Sequence, residues 1–418
     1  MAGLKRLLPR FSLRTLVIAP LLATCVFAVW WRWEPWVFEQ ALEGEAKDMA
    51  FSPDGRLLAA AGMVAGGPVL SIYRLSDGSR RDLPTGSEMK FTGLLSFSPD
   101  GRHLLTTWYG HDPTVWDVEA GHVVFALKGY VGRVRHASYS PDGRSIVTGD
   151  YASWLRLWEA EAGNLLAEQH VGGAVDVARF SRDGRRVLSV TSRSLQVWDS
   201  RLTERLFRKV APARGLPPEA TVDISPDGSR VAYGDDAGGV HVDAIDGEGE
   251  GSGLVLGGHE DYALCVRFFP DNELLLTCDG IGTASTWYHN GVKASAVTAH
   301  ILSAFLHSDA IWLSDGRRIA GTWDVGILIF DATVGRVLAI VSPSYEREVF
   351  LRSSAISCDG RRIAMTERGD KFITVFRRRR PEWWWGVFYL WEFWLTAAFA
   401  CLFIWSVITD RRPLARTG

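Results

Sequence analysis

The chain has 418 residues, a formal net charge of −2 and 22% charged residues, so no cationic surplus points to nucleic acid. That length fills two or three ordinary domains or one long all-β domain. The 42 glycines ask for many tight turns, and the five cysteines (Cys25, Cys265, Cys278, Cys358, Cys401) show no C-x-x-C pair and no framework spacing. They read as small buried or turn residues and do not fix the redox compartment.

The N-terminal tail, 1–14, is basic, with Lys5, Arg6, Arg10 and Arg14. TLVIAPLLATCVFAVWW at 15–31 is uncharged and long enough for a short membrane helix, predicted over 15–33. Trp30, Trp31, Trp33 and Trp36 follow it as an interfacial belt. A cleaved signal peptide has the same basic-then-apolar layout. Apolar sequence runs past Cys25 to Trp31, however, and this favours an uncleaved anchor.

The middle, 36–378, is a repeat array. FSPDGR at 51–56 returns at 97–102, and variants follow as YSPDGR (139–144), FSRDGR (180–185), ISPDGS (224–229), FFPDNE (268–273), LSDGRR (313–318) and ISCDGR (356–361). Their aspartates, from Asp54 to Asp359, are spaced by 46, 42, 41, 44, 44, 44 and 44 residues. That period is the length of a four-stranded propeller blade. Pro presets φ for the turn, Asp bonds back to the turn backbone, and Gly takes the left-handed position. A carboxylate repeated at one turn position is turn chemistry, not a catalytic or metal site. Downstream, an aromatic closes a third strand at Tyr73, Trp116, Trp158, Trp198, Trp287, Phe330 and Phe376, with Asp243 at that place in the fifth repeat.

At the C-terminal end, 383–409 carries one charge, Glu392, and reads as a second membrane helix. Trp383, Trp384 and Trp385 suit the headgroup level, and Glu392 near a helix end snorkels to the interface. The short tail 410–418 is basic. Seven tail cations (Lys5, Arg6, Arg10, Arg14, Arg411, Arg412, Arg416) outnumber the five on the middle side (Arg32, Arg377–Arg380). The positive-inside rule therefore favours cytoplasmic tails and an extracytoplasmic middle in a two-pass protein, expected in a bacterial inner membrane.

VWD (115–117), LWE (157–159), VWD (197–199) and GGH (257–259), together with the SPDG hairpins, resemble the WD-repeat (WD40-type) propeller family over 37–378. With its paired anchors the chain is similar to membrane-bound bacterial WD-repeat proteins of undefined activity. The resemblance implies an all-β fold: an eight-bladed β-propeller, with seven blades as the alternative. It also implies closure of the ring by an outer strand borrowed from WVFEQAL (36–42). One departure is expected. The family's His–Ser/Thr–Asp–Trp network looks incomplete: His259 and Trp287 fit the sixth repeat, but Ile281 stands at the expected Asp. The seventh has His300, Thr322 and Asp324 with Phe330 in place of Trp.

In this topology the SPDG turns lie on the face from which both chain ends leave. Arg56, Arg102, Arg144, Arg185, Arg186, Arg230, Arg317, Arg318, Arg361 and Arg362, with Arg377, Arg378, Arg379 and Arg380, form a candidate contact to anionic lipid. The opposite face carries the irregular loops. Exposed aromatics with arginine anchor protein interfaces, and the candidates there are Trp108, Tyr109, Tyr130, Arg133, Tyr151, Trp154, Tyr262, Trp323 and Tyr345. No Walker loop, G-x-S-x-G, H-E-x-x-H or EF-hand pattern occurs. His111–Asp112 and His259–Glu260–Asp261 read as turn groups. A non-catalytic, membrane-tethered scaffold for protein partners is expected, with no cofactor. A propeller enzyme or small-ligand binder at the channel mouth, quinoprotein-like, is the alternative.

Overall fold

In the computed structural model, residues 36–378 are described apart from loop breaks, the longest at 211–221, 246–252, 299–310 and 342–350. The predicted spans 15–33 and 383–409 and both basic tails lie outside the described residues. Among the described residues no helix is long and apolar enough to cross a membrane. Two compact units divide the chain, Phe38–Arg377 and the pair of ends, and the first is described below.

The described strands form eight four-stranded antiparallel sheets. In sequence order sheets 1–7 cover 48–83, 90–126, 134–170, 175–210, 222–256, 263–298 and 311–341. Sheet 8 takes three strands from 351–378, and its outermost strand is Trp36–Glu43. Strands are lettered a to d from the axis outward. Each sheet packs on its neighbours, and strand a of sheet 1 (Asp48–Phe51) packs on strand a of sheet 8 (Leu351–Ile356), so the ring closes.

The sequence pattern follows from this layering. Strands b and c have sheets on both faces and are buried almost throughout, as in Arg186–Thr191 and Ser194–Asp199 of sheet 4. Strand d faces solvent and alternates, as in Leu165–His170. The period-2 signal is therefore weak in b and c and visible only at the rim.

The SPDG turns are built as read. The Ser hydroxyl donates to the turn Asp at 2.6 Å in Ser52–Asp54, Ser98–Asp100, Ser140–Asp142, Ser225–Asp227 and Ser357–Asp359. The same carboxylate accepts the backbone N–H two residues on, and the serine accepts the N–H five residues on. These donors hold the Asp142 carboxyl below its usual range. Gly55, Gly101, Gly143 and Gly360 have φ between 62° and 72°, and Asn272 takes φ 66° in the glycine-less sixth turn.

Closure is fixed by polar contacts as well as the ladder. Arg362, at the start of strand b in sheet 8, donates to Glu39 at 3.0 Å and to the Gly55 carbonyl at 2.9 Å. It thereby ties the N-terminal strand to sheet 8 and to the turn of sheet 1. Tyr73 donates to the Glu43 carbonyl at 2.7 Å. The Arg362 guanidinium is half-buried, so Arg362→Ala should cost about 2 kcal/mol by leaving Glu39 and the Gly55 carbonyl without their donor. Arg56→Ala, at a side chain 83% exposed, should cost less than about 0.5 kcal/mol. Urea midpoints of the two variants check the difference.

Candidate functional site

The face opposite the SPDG turns is shaped by a hydroxyl on strand b. In sheet 6 this is Thr277, the fourth residue of Leu274–Asp279. Trp287 donates its indole N–H to Thr277 Oγ1 at 2.8 Å. Thr277 Oγ1 lies 2.7 Å from His259 Nε2, and His259 Nδ1 lies 3.1 Å from Asp279 Oδ2. An indole only donates and a carboxylate only accepts, so Trp287 donates to Thr277 and His259 Nδ1–H donates to Asp279, while the Thr277 hydroxyl has both His259 Nε2 and, at 3.3 Å, the Ser285 carbonyl within reach. Burial holds the His259 pKa below its ordinary value, against the pull of the Asp279 carboxylate. This corrects the expectation of an incomplete network: Asp279, not Ile281, is its acid. His259 is structural here.

The same place is filled differently in other sheets. In sheet 3, Trp158 donates to Thr148 at 2.9 Å, and Tyr130 takes the histidine's place against Thr148. Asp150, equivalent to Asp279, holds Arg156 at 2.7 Å and the Trp154 N–H at 2.8 Å. In sheet 2, Trp116 and Trp108 both donate to Thr106, at 3.0 and 2.9 Å. In sheet 4, Trp198 donates to Ser189 at 3.2 Å. Sheet 5 inverts the pair. Tyr233 stands at the hydroxyl position of strand b and donates to Asp243 at 2.8 Å, which explains the missing aromatic at 243. The ladder between strands c and d shifts register next to the aromatic in sheets 2, 3, 4, 6 and 7, a bulge that makes room for the ring.

These bonds sort the predicted partner residues. Trp108 is 1% exposed and belongs to the core. Tyr130 is half-buried on Trp158, at 5.6 Å between ring centroids, with the Arg156 guanidinium 4.8 Å from its own ring. Both are corrected from surface to packing residues. Trp154 is half-buried between His170 and Arg156. Tyr151 is 44% exposed on the loop between strands b and c of sheet 3. The Arg133 and Arg135 guanidiniums lie 5.6 and 5.7 Å from its ring, and Arg135 pairs with Asp176 of sheet 4 at 2.8 Å. Tyr109 ends His103–Tyr109, and Trp323 ends Arg318–Trp323. The side chains of Tyr109 and Trp323 lie outside the described residues, as do Tyr262 and Tyr345 entirely.

On the turn face, the Arg56, Arg102, Arg185 and Arg361 side chains are 83%, 82%, 82% and 61% exposed, each 3.7–3.9 Å from its own turn aspartate. Arg144 and Arg317 are also exposed. Arg230 is corrected: it is half-buried over the Phe268 ring at 5.7 Å and donates to the Asn272 carbonyl at 3.0 Å. Arg186, Arg318 and Arg362 are likewise drawn inward. Arg377 is exposed, Arg378 ends the third strand of sheet 8, and Arg379 and Arg380 lie outside the described residues.

The channel along the axis holds a cavity of about 330 Å³ at its turn-face end, lined by Ser138, Tyr139, Arg179, Phe180, Asp223 and Trp312 among others. Arg179 donates to Asp223 at 2.7 Å and to the Val222 carbonyl at 2.7 Å, and Asp223 accepts the Phe268 N–H at 2.8 Å. At the other end Asp176 has its pKa raised by burial, against the pull of Arg135. These charges bridge one sheet to the next.

Against known proteins, the ring has a close counterpart. The crystal structure of the C-terminal WD40 domain of Sif2 superposes with a TM-score of 0.62, covering 82% of this chain and 98% of that chain at 13% identity. The fold is that of a WD40 domain. Residues 121–159 and 252–282 match the family model "WD domain, G-beta repeat". The first stretch holds Tyr130, Thr148 and Trp158, and the second holds His259, Thr277 and Asp279. WD repeat-containing protein 55 of Bos taurus is 33% identical over 104 residues, a quarter of this chain, and the match spans about a quarter of that relative (26%).

Thr277→Val should destabilise the WD40 fold by about 2–3 kcal/mol, since His259 and Trp287 lose a buried partner. Thr277→Ser should recover most of it in denaturant titrations. The histidine adds a pH dependence. Its folded pKa lies below the unfolded value of about 6.5, so at acid pH the unfolded chain takes up a proton that the folded chain refuses. Stability is therefore full above that value and falls as pH drops toward the folded pKa. The slope should be shallower in His259→Gln, measured by unfolding at a series of pH values.

Proposed function

We propose that the chain is a membrane-tethered, non-catalytic propeller that binds protein partners through the loop face opposite its SPDG turns. The observation that carries this reading is the Tyr151 ring, exposed and flanked by Arg133 and Arg135. An aromatic with arginine on a rigid scaffold is the usual composition of an interface hot spot. The fold supports it too, since WD40 propellers typically serve as interaction scaffolds. Eight four-stranded sheets in a closed ring support eight blades over seven.

The membrane part of the reading comes from 15–33 and 383–409. Strand d of sheet 8 begins, and strand c ends, on the turn face. We therefore place the turn face toward the bilayer of a bacterial inner membrane, with both tails cytoplasmic and the propeller outside. The turn arginines suit headgroup contact because they stand further out than their aspartates: 82% against 24% exposed for Arg185 and Asp183. The alternative, a channel enzyme or ligand binder, has less support. The channel charges are joined in pairs, Arg135 with Asp176 and Arg179 with Asp223, so those lining the cavity already neutralise each other, whereas a ligand site needs polar groups left to meet the ligand.

A pull-down from detergent extract tests the interface. Tyr151→Ala with Arg133→Ala should lose, by at least about tenfold, proteins that wild type and a turn-face control, Arg56→Ala, both recover. Equal recovery by all three places the interface elsewhere.

A further inference from the structure

Sheet 6 holds two cysteines that the bonding of the fold does not use. Cys265 lies on strand a and Cys278 on strand b, and they are direct partners in the antiparallel ladder. Both are free thiols, 1% and 2% exposed. They share an apolar cluster with Phe269, Leu276, Ile319 and Phe330, which joins sheets 6 and 7. Facing residues of an antiparallel pair have Cα atoms about 4.5–5.5 Å apart, inside the range of about 4.4–6.8 Å that a disulfide spans. Side chains of facing residues point to the same side of a sheet, so the ladder pairing aims both thiols into one space.

We propose that Cys265 and Cys278 form a dithiol site that closes to a disulfide across strands a and b of sheet 6. The proposal rests on the reading that the propeller faces an oxidising, extracytoplasmic space. The oxidant is a disulfide-carrying oxidoreductase that meets the chain during folding, before sheet 7 covers the pair. One cysteine thiolate attacks the oxidoreductase disulfide, forming a mixed disulfide and expelling one oxidoreductase thiolate. The second cysteine, as its thiolate, attacks the chain's own sulfur in that mixed disulfide and expels the other. The chain gives up two electrons and two protons, and the oxidoreductase leaves with two thiols. Cys278 stands between Thr277 and Asp279, so the bond ties the strand that carries the buried network to the strand lining the channel.

The test uses full-length protein from membranes, acid-quenched, blocked with N-ethylmaleimide, digested and read by mass spectrometry. The linked Cys265–Cys278 peptide should exceed the doubly alkylated form by at least about tenfold. It should vanish on reduction and in Cys278→Ser. Doubly alkylated peptide in unreduced wild type overturns the proposal, whatever the variant does. Cys358 is exposed on the turn face and reports the topology separately. A membrane-impermeant maleimide should label it in right-side-out vesicles, with Cys358→Ser as the control. Such labelling with Cys265 and Cys278 alkylated sinks the dithiol alone. Labelling only in inside-out vesicles sinks the topology, and the proposal with it.

Discussion

Everything in this molecule depends on one strand finding its partner. A four-stranded sheet with apolar residues on both faces is stable only when each face meets another sheet, and seven sheets and a partial eighth cannot satisfy that condition. Trp36–Glu43 completes sheet 8 from the other end of the chain. Arg362 fastens it with one guanidinium that reaches both Glu39 and the turn of sheet 1. The cost is entropic, because the two ends meet across more than three hundred residues. Loop-closure entropy grows only with the logarithm of that length, by about 0.6 kcal/mol per doubling, so packing on both sides of sheets 8 and 1 outweighs it.

In sheets 2 to 6 the order is set by what faces the fourth residue of strand b. Where that residue is Thr or Ser, an indole from strand c donates to it, and the remaining hydrogen-bonding capacity organises the loop beyond. His259 and Asp279 do this in sheet 6, Tyr130 in sheet 3 and a second indole, Trp108, in sheet 2. Where it is Tyr233, a phenol fills the space of the indole and the acid moves to strand c. The volume and the bond persist while the residues exchange. This is why the repeats tolerate so much divergence above the hydroxyl and so little at the turns.

The legibility of the sequence follows from the range of each interaction. The SPDG turns were fully readable because Ser, Asp and Gly bond within six residues, and Asn272 could replace glycine at φ 66° without hiding the pattern. The blade period followed from those turns, and the borrowed strand from the resemblance to WD-repeat propellers. Asp279 was missed because its partner lies 20 residues away across a loop. Its position is countable from strand b, two residues after Thr277, but not from the tryptophan downstream. Trp108 and Tyr130 were misread for a related reason. An aromatic beside a glycine-rich loop looks exposed in sequence, and only the hydroxyl it bonds reveals that it points inward. Arg230 differs from Arg56 by one place in the turn: Ser229 is the counterpart of Arg56, while Arg230 is the first residue of strand b, as are Arg186, Arg318 and Arg362, and the Asn272 carbonyl and the Phe268 ring of the next sheet draw it in.

The two faces of the disc are thus under different constraints. On the turn face, each Ser–Asp–Gly set satisfies its own backbone, so the chemistry repeats and little is left to vary except the outward arginine. On the opposite face the loops between strands b and c, and between d and the next a, start from groups already held by the buried hydroxyl network. Asp150 illustrates the consequence. It fixes the Trp154 N–H and Arg156, and so holds both ends of the short loop that presents Tyr151, in which Ser153 takes φ 74°. A rigid base with replaceable tips is the condition under which loop divergence becomes specificity rather than instability. That condition is met on one face only, and it lies across the disc from the SPDG turns.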